Sequence, residues 1–239
     1  NIGLSHARGK WIIFADADDF FTANCFTILN EYMDSPHKVI YFNVRFVMSD
    51  DPSQESRRGT YYTNFFNDVN PENKLRYQSQ VPWGKMIRRS FLSTFHIQFD
   101  ETRIANDVYF SCLVGIYAPK VTTDRRIIYY CTESDQSLAM SKQDRESLII
   151  RFNASMKCNR LLRQEKIHYY LSPLPWCIPS AKTKEWLPAK YFFEYLFFFR
   201  LQAFKELYYA FSAILSHMNE PATKETDNQC NKKTTNLKE

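Results

Sequence analysis

A chain of 239 residues has room for one domain with a sizeable core and a helical appendage. With 44% apolar and 16% aromatic residues it is not a disordered chain, and a net charge of +5 is too mild to argue for nucleic acid. Partners that carry phosphates, or an anionic membrane surface, stay open on charge alone. Six cysteines (Cys25, Cys112, Cys131, Cys158, Cys177, Cys230) form no CxxC pair and the five histidines show no HxxxH spacing, which argues against zinc. With no signal peptide visible, the cysteines read as reduced cytosolic residues. The chain starts at Asn1 as if in the middle of a domain, and so reads as a fragment.

In chain order, the first signal is KWIIFADADDFF, residues 10–21. Trp11 to Ala15 is continuously apolar, the pattern of a strand covered on both faces in a parallel sheet. Asp16 falls at its carboxyl end, where open α/β sheets bind ligands. Thr22 to Ser35 reads as a helix stopped by Pro36, and residues 38–49 return as a strand, a βαβ rhythm. Residues 50–59 turn polar and mark a surface loop. Residues 81–92 and 120–131 supply two more strands, with a helix over 105–118 between them. The fold class is α/β.

Beyond residue 141 the pattern becomes helical. Ser147 to Tyr170 carries Leu148, Ile149, Phe152 and Met156 at helical spacing. Three prolines make 171–180 a rigid connector. Residues 190–215 are rich in aromatics but interrupted by Glu194, Arg200, Lys205 and Glu206, so they read as an amphipathic helix and not as a clean transmembrane span. His217 to Glu239 is polar and reads as a disordered tail. No internal repeats are found.

Asp16, Asp18 and Asp19 crowd three carboxylates into four positions. Such groups repel, and a hard divalent cation with oxygen ligands, Mn2+ or Mg2+, is one way to keep them ionised. That kind of cation takes one or two protein carboxylates and completes its shell with substrate phosphates, which implies a diphosphate ligand. The bland alternative is an acidic cap for the following helix. An EF-hand loop would need a following Gly and a distant Glu, which are missing. A phosphatase of the haloacid-dehalogenase type, with Asp16 as nucleophile and Asp18 as acid, would place Thr or Val where Phe20 stands. The remaining reading is sugar transfer from a nucleotide donor.

The stretch NIGLSHARGKWIIFADADD resembles the segment N-x-G-L-x-x-A-x-G-K-y-I-x-F-x-D-x-D-D of family 2 glycosyltransferases, GT-A enzymes of bacterial polysaccharide synthesis. Downstream, WGKMIRRSFL (83–92) resembles that family's W-x-K-x-x-R-x-x-x-L, and FDETRIANDVYF (99–110) its F-x-E followed by E-D-x-x-F. IIYYCTESDQSLA (127–139) is similar to its aromatic strand and serine turn. The resemblance covers residues 1 to about 140. It implies Asp18 as metal ligand, Asp16 as ribose contact or second metal ligand, and Asp19 as an adjacent helper. It implies Asp107 as catalytic base, whereas chemistry alone also allows Asp107 to cap its helix. Asn106 replaces the family's Glu and leaves that base without its acidic neighbour. Trp83 and Lys85 match the acceptor-side W-x-K: Trp83 is divided between core packing and sugar stacking, and Lys85 between a phosphate or acidic-sugar contact and ordinary exposure.

The family's first nucleotide-binding βαβ unit, on the order of 80 residues, does not occur in the chain. The expectation is therefore a GT-A, Rossmann-like mixed sheet lacking that unit (1–140), a helical extension (141–216) and a tail (217–239). The implied activity is metal-dependent, inverting transfer from a nucleotide-sugar donor to a saccharide or lipid-linked acceptor, in capsule, lipopolysaccharide or related cell-surface polysaccharide synthesis. The alternatives are the phosphatase and an inactive transferase-like binding protein. The expected location is cytoplasmic. For the aromatic helix, peripheral attachment at the inner membrane face stands beside packing on the catalytic part or a dimer interface.

Overall fold

The computed structural model describes residues 1–56, 59–133, 144–177 and 187–219. The expected tail from 220 on and the serine turn at 134–140 lie outside them. In chain order the elements are α1 (Ile2–His6), β1 (Trp11–Ile13), β2 (Phe20–Phe21), α2 (Cys25–Asn30), β3 (Val39–Met48), α3 (Thr60–Asn67), α4 (Pro71–Gln78), β4 (Lys85–Arg88), α5 (Arg89–Thr94), α6 (Asn106–Tyr117) and β5 (Val121–Glu133). They are followed by α7 (Arg145–Gln164), α8 (Leu174–Cys177), α9 (Ala189–Phe199) and α10 (Leu201–Asn219). The chain divides into two units, Asn1–Phe192 and the residues from Phe193 on.

The sheet of the first unit runs β1-β4-β3-β5-β2. β3 and β5 pair in parallel at its centre, while β1 on β4, β4 on β3 and β2 on β5 are antiparallel. This is the mixed α/β sheet expected from the sequence. Val39, Ile40, Tyr41 and Phe42 are almost wholly buried, as the near-continuous apolar run of a central strand requires. A register shift around Asn43 accommodates Asp124 and its neighbours on β5.

Three elements depart from the sequence pattern. The apolar run from Trp11 is not a parallel strand covered on both faces: it pairs antiparallel with β4 at one end of the sheet, and of its three strand residues Ile12 alone is buried. The helix expected over Thr22 to Ser35 is regular only at α2, after which Glu31, Tyr32, Met33 and Ser35 each donate their N–H to the carbonyl three residues back. That tightened turn is where Tyr32 leaves the helix course to donate its hydroxyl to Asp124 Oδ2 at 2.9 Å. The strand expected over 81–92 shrinks to β4, because Gly84 sits at φ +66° and the chain turns into α5 at Arg89. A side chain at Gly84 would strike Tyr62 Oη and Val44 Cγ1, each 2.9 Å from the position of its Cβ.

α6 matches the expected helix over 105–118 closely. It packs on α4 so tightly that a Cβ on Gly115 would lie 1.8 Å from the Arg76 carbonyl oxygen. Arg76 also caps the far end of α6, Nε donating to Gly115 O at 2.9 Å and Nη2 to Ala118 O at 2.8 Å. On its other side α6 packs on α7 through Val108, Cys112, Ala154 and Cys158. α7 itself starts at an Asp144 cap, whose carboxylate accepts from Ser147 N–H at 2.8 Å.

In the second unit, Tyr195, Phe199 and Ala203 are buried and Tyr195 Oη donates to Glu206 Oε2 at 3.1 Å. Arg200, at φ 47°, separates α9 from α10. Among the described residues no helix is long and apolar enough to cross a membrane.

Candidate active site

The aspartates follow β1. Phe14, two residues before Asp16, meets Phe99 and Phe110 edge-on at 5.2 and 5.3 Å, and Phe99 stacks on Phe110 at 4.1 Å. Phe110 lies on α6, three residues after Asp107, so this aromatic knot ties the aspartate loop to the start of α6. Asn1 adds a clasp: its side chain donates to Phe99 O at 3.0 Å and accepts from Phe99 N–H at 2.9 Å. The two acidic motifs, some 90 residues apart in sequence, are thus built into one place.

Their charges interact. Burial, and then the charges of Asp19, Asp18 and Asp107, hold the Asp16 carboxyl above the usual carboxylate range. By surface area Asp16 is nonetheless exposed, as is Asp18, so the loop is sunk at its backbone and open at its tips. Among the described residues no lysine or arginine makes an ion pair with Asp16 or Asp18, and no side-chain donor reaches either carboxylate.

Asp19 differs from its neighbours. Its Oδ2 accepts from Tyr129 Oη at 2.7 Å and its Oδ1 from Thr132 N–H at 2.7 Å. Tyr129 Oη in turn accepts from Asp16 N–H at 2.8 Å, and Thr132 Oγ1 donates to Asp18 O at 2.9 Å. Burial and the bond to Asp19 push the Tyr129 phenol up, which keeps it protonated and donating. Tyr129 and Thr132 escaped the sequence reading. The available signal was a tyrosine near the carboxyl end of a buried strand, whose hydroxyl needs a partner.

Asp107 sits in the first turn of α6, directly after Asn106, which is exposed. The residue before them, Ala105, has φ 52°, a left-handed conformation that costs a non-glycine residue on the order of 1 kcal/mol or more. Burial raises the Asp107 carboxyl above its usual range, and the N–H groups of the helix start and the charges of Lys85 and Arg151 work in the opposite direction. A desolvated carboxylate at a helix start is a suitable proton acceptor.

Lys85 is fully buried. Its Nζ donates to Val81 O at 2.5 Å and Ser79 O at 3.3 Å and lies 5.5 Å from the centre of the Tyr41 ring. Burial pushes its pKa down to about 7, against the opposing pull of Asp107. Trp83 is buried too, against Tyr62, Phe46 and Tyr129 at ring distances of 5.2, 5.7 and 6.2 Å. The structure therefore brings Asp107 within electrostatic reach of Asp16, sets Lys85 within electrostatic reach of Asp107, and seats Trp83 against Tyr129 in the core. A cavity of about 310 Å³ opens elsewhere, between β3 and α3, and is lined by Asn43, Arg45, Glu55 and Thr63 and by none of the aspartates.

The donor set suits a hard cation. Asp16 and Asp18 offer free carboxylate oxygens, Asp19 is committed to β5, and among the described residues no three His, Cys, Asp or Glu side chains converge as a closed protein cage. That is the arrangement expected for Mg2+ or Mn2+, which retain water and phosphate ligands.

Comparison with known proteins gives a family match over part of the chain and a shared fold. Residues 1–95 match the model described as "Glycosyl transferase family 2". Asp107 lies beyond the matched residues. A search of curated proteins finds no match. Among solved structures, S. aureus TarS 1–349 in complex with UDP-GlcNAc is 18% identical, with a TM-score of 0.51 over 66% of this chain and 45% of that one. S. aureus TarS 1–349 without a named ligand is 17% identical, with a TM-score of 0.48 over 74% and 46%. The chain thus spans less than half the length of these structures. At this identity the likeness to the first of them shows a shared fold.

Proposed function

From the premise that residues 1–95 are a glycosyl transferase family 2 segment, we propose that the full protein transfers a sugar from a nucleoside-diphosphate donor to a hydroxyl of a saccharide or lipid-linked acceptor. The observation that carries this reading is that the Phe14–Phe110 contact ties the loop of Asp16 and Asp18, which make no ion pair among the described residues, to the start of α6, so that the charge of the desolvated Asp107 acts on Asp16. Asp16 and Asp18 would hold Mn2+ or Mg2+, which supplies positive charge opposite the departing diphosphate. Asp107 would take the proton of the acceptor hydroxyl as its oxygen bonds to the anomeric carbon and the bond from that carbon to the diphosphate oxygen breaks. One base and one displacement give inversion. The UDP-GlcNAc bound by TarS is one donor of this chemical class.

Asn106, beside the base, is exposed and uncharged, so Asp107 has no adjacent acid to push its pKa higher. Lys85, turned to backbone carbonyls, acts from behind Asp107 and not on the acceptor. Trp83 serves as packing beneath the aspartate loop. Phe20, standing where the phosphatase would place Thr or Val, and the family match over residues 1–95 support the transferase over the phosphatase.

The place of action would be the cytoplasmic side of a membrane that carries the acceptor, in cell-surface polysaccharide synthesis. In the second unit Phe193, Phe197, Leu201, Phe204, Tyr208 and Tyr209 are exposed. Arg200 and Lys205 are exposed among them, while Glu206 is bonded to Tyr195. Aromatics interleaved with cations suit an anionic lipid surface. Liposome flotation of the full protein and of Phe197→Glu/Phe204→Glu tests this: equal flotation of the two discards it.

The function itself is tested by nucleoside-diphosphate release from a panel of sugar donors with Mn2+ or Mg2+. Release that disappears in Asp107→Ala supports the reading. Release of inorganic phosphate from small phosphoesters, without turnover of any sugar donor, contradicts it.

A further inference from the structure

We propose that Tyr129 is a positioning residue of the aspartate loop, holding Asp16 and Asp19 so that the carboxylates of Asp16 and Asp18 face one cation together. This rests on the reading of the site given under Proposed function. It assigns a task to a residue of β5, more than a hundred positions away in sequence.

The geometry is specific to a phenol. A tyrosine hydroxyl has one proton to give and lone pairs to accept with. Here the proton goes to Asp19 Oδ2 and a lone pair receives the Asp16 N–H. One oxygen atom therefore joins the backbone of the first aspartate to the side chain of the third. Thr132 closes the frame from the next turn of the pleat, its N–H on Asp19 Oδ1 and its Oγ1 on Asp18 O. Every acid of the cluster is gripped by β5, yet only Asp19 is gripped by its carboxylate. Both Asp19 oxygens are committed, which makes it part of the frame and leaves Asp16 and Asp18 as the free pair.

The frame is stiff because the Tyr129 ring is. The residue is fully buried, with Phe21 at 5.4 Å and Trp83 stacked at 6.2 Å, so the phenol oxygen has little room to move. Groups that orient metal ligands in this way typically change affinity by about 10–100-fold when removed. Phenylalanine would keep the packing of the ring and delete the one atom that joins Asp16 to Asp19.

The test compares wild-type full-length protein with Tyr129→Phe, Asp19→Asn and the double variant. Mn2+ binding is measured by titration calorimetry in the presence of UDP, and hydrogen exchange is measured on the peptide containing Asp16. The expected result is at least a tenfold loss of Mn2+ affinity in Tyr129→Phe, faster exchange at Asp16, and a double variant no weaker than the worse single one. Unchanged Mn2+ affinity together with unchanged Asp16 exchange overturns the proposal. Should Tyr129→Phe fail to fold, Asp19→Asn carries the same comparison, since it alters the other end of the same bond on a half-buried side chain outside the core. Wild-type protein that binds neither Mn2+ nor UDP overturns the proposed function instead, and the exchange comparison still decides whether Tyr129 holds the loop.

Discussion

Replacing Lys85 by methionine keeps the length of a fully buried side chain and removes its amine, which gives a sharp test of the electrostatics behind Asp107. The amine is pushed from 10.5 down to about 7 by burial. Between those values the unfolded chain holds the proton and the folded protein does not, so wild-type stability rises as pH climbs through that window. The slope is about 1.4 kcal/mol per pH unit, or about 3 kcal/mol from pH 7.5 to 9.5. Below about pH 7 both states are protonated and this contribution is flat. In Lys85→Met the dependence is gone, and the carbonyls of Ser79 and Val81 lose their donor at every pH, a cost of about 1–3 kcal/mol each. Urea unfolding of both proteins at half-unit pH steps isolates the amine, because every other titrating group cancels in the difference. The wild-type advantage should widen steadily above neutral pH. Parallel stability curves would refute the buried, depressed amine.

Other expectations concern the neighbouring residues. Asp107→Asn should reduce turnover by about 10²–10⁴-fold while leaving Mn2+ and nucleotide binding intact, as measured by steady-state release and calorimetry. Because burial raises the Asp107 carboxyl above 3.8, the acid limb of the wild-type rate profile should fall at higher pH than an ordinary carboxylate would give, since protonation removes the base. Gly115→Ala should destabilise the protein by about 2–4 kcal/mol in thermal melts, since its Cβ meets a backbone carbonyl 1.8 Å away and relief would also strain the Arg76 bonds to the end of α6.

The sequence made the candidate site legible through short-range chemistry. An apolar run that ends in three aspartates, and a helix that opens on Asp107, are local patterns, and α6 appears almost where the periodicity places it. What remained hidden depends on contacts across the chain. The pairing of β1 with β4 is set by a partner that periodicity in residues 11–13 does not name. The tightened turn after α2 answers to Asp124, on a strand about ninety residues further on. The burial of Lys85 runs against the usual exposure of lysine, and becomes readable only when the carbonyls of Ser79 and Val81 are seen to supply its partners. The clamp from Tyr129 and Thr132 belongs to the register of β5, and no motif spacing reveals it. The orientations of the acids follow from that register: Asp19 is adjacent in sequence to Asp18 but faces the sheet, while Asp18 faces outward.

Under the proposed function, the carboxylates of Asp16 and Asp18 hold a divalent cation against a diphosphate. Calorimetric titration of the full protein with UDP, in the presence and absence of Mn2+, tests it most directly. Binding that strengthens at least tenfold with Mn2+ and loses that gain in a folded Asp18→Ala variant is the predicted result. UDP affinity that is indifferent to Mn2+ in the wild type, or metal dependence that survives Asp18→Ala, would contradict it.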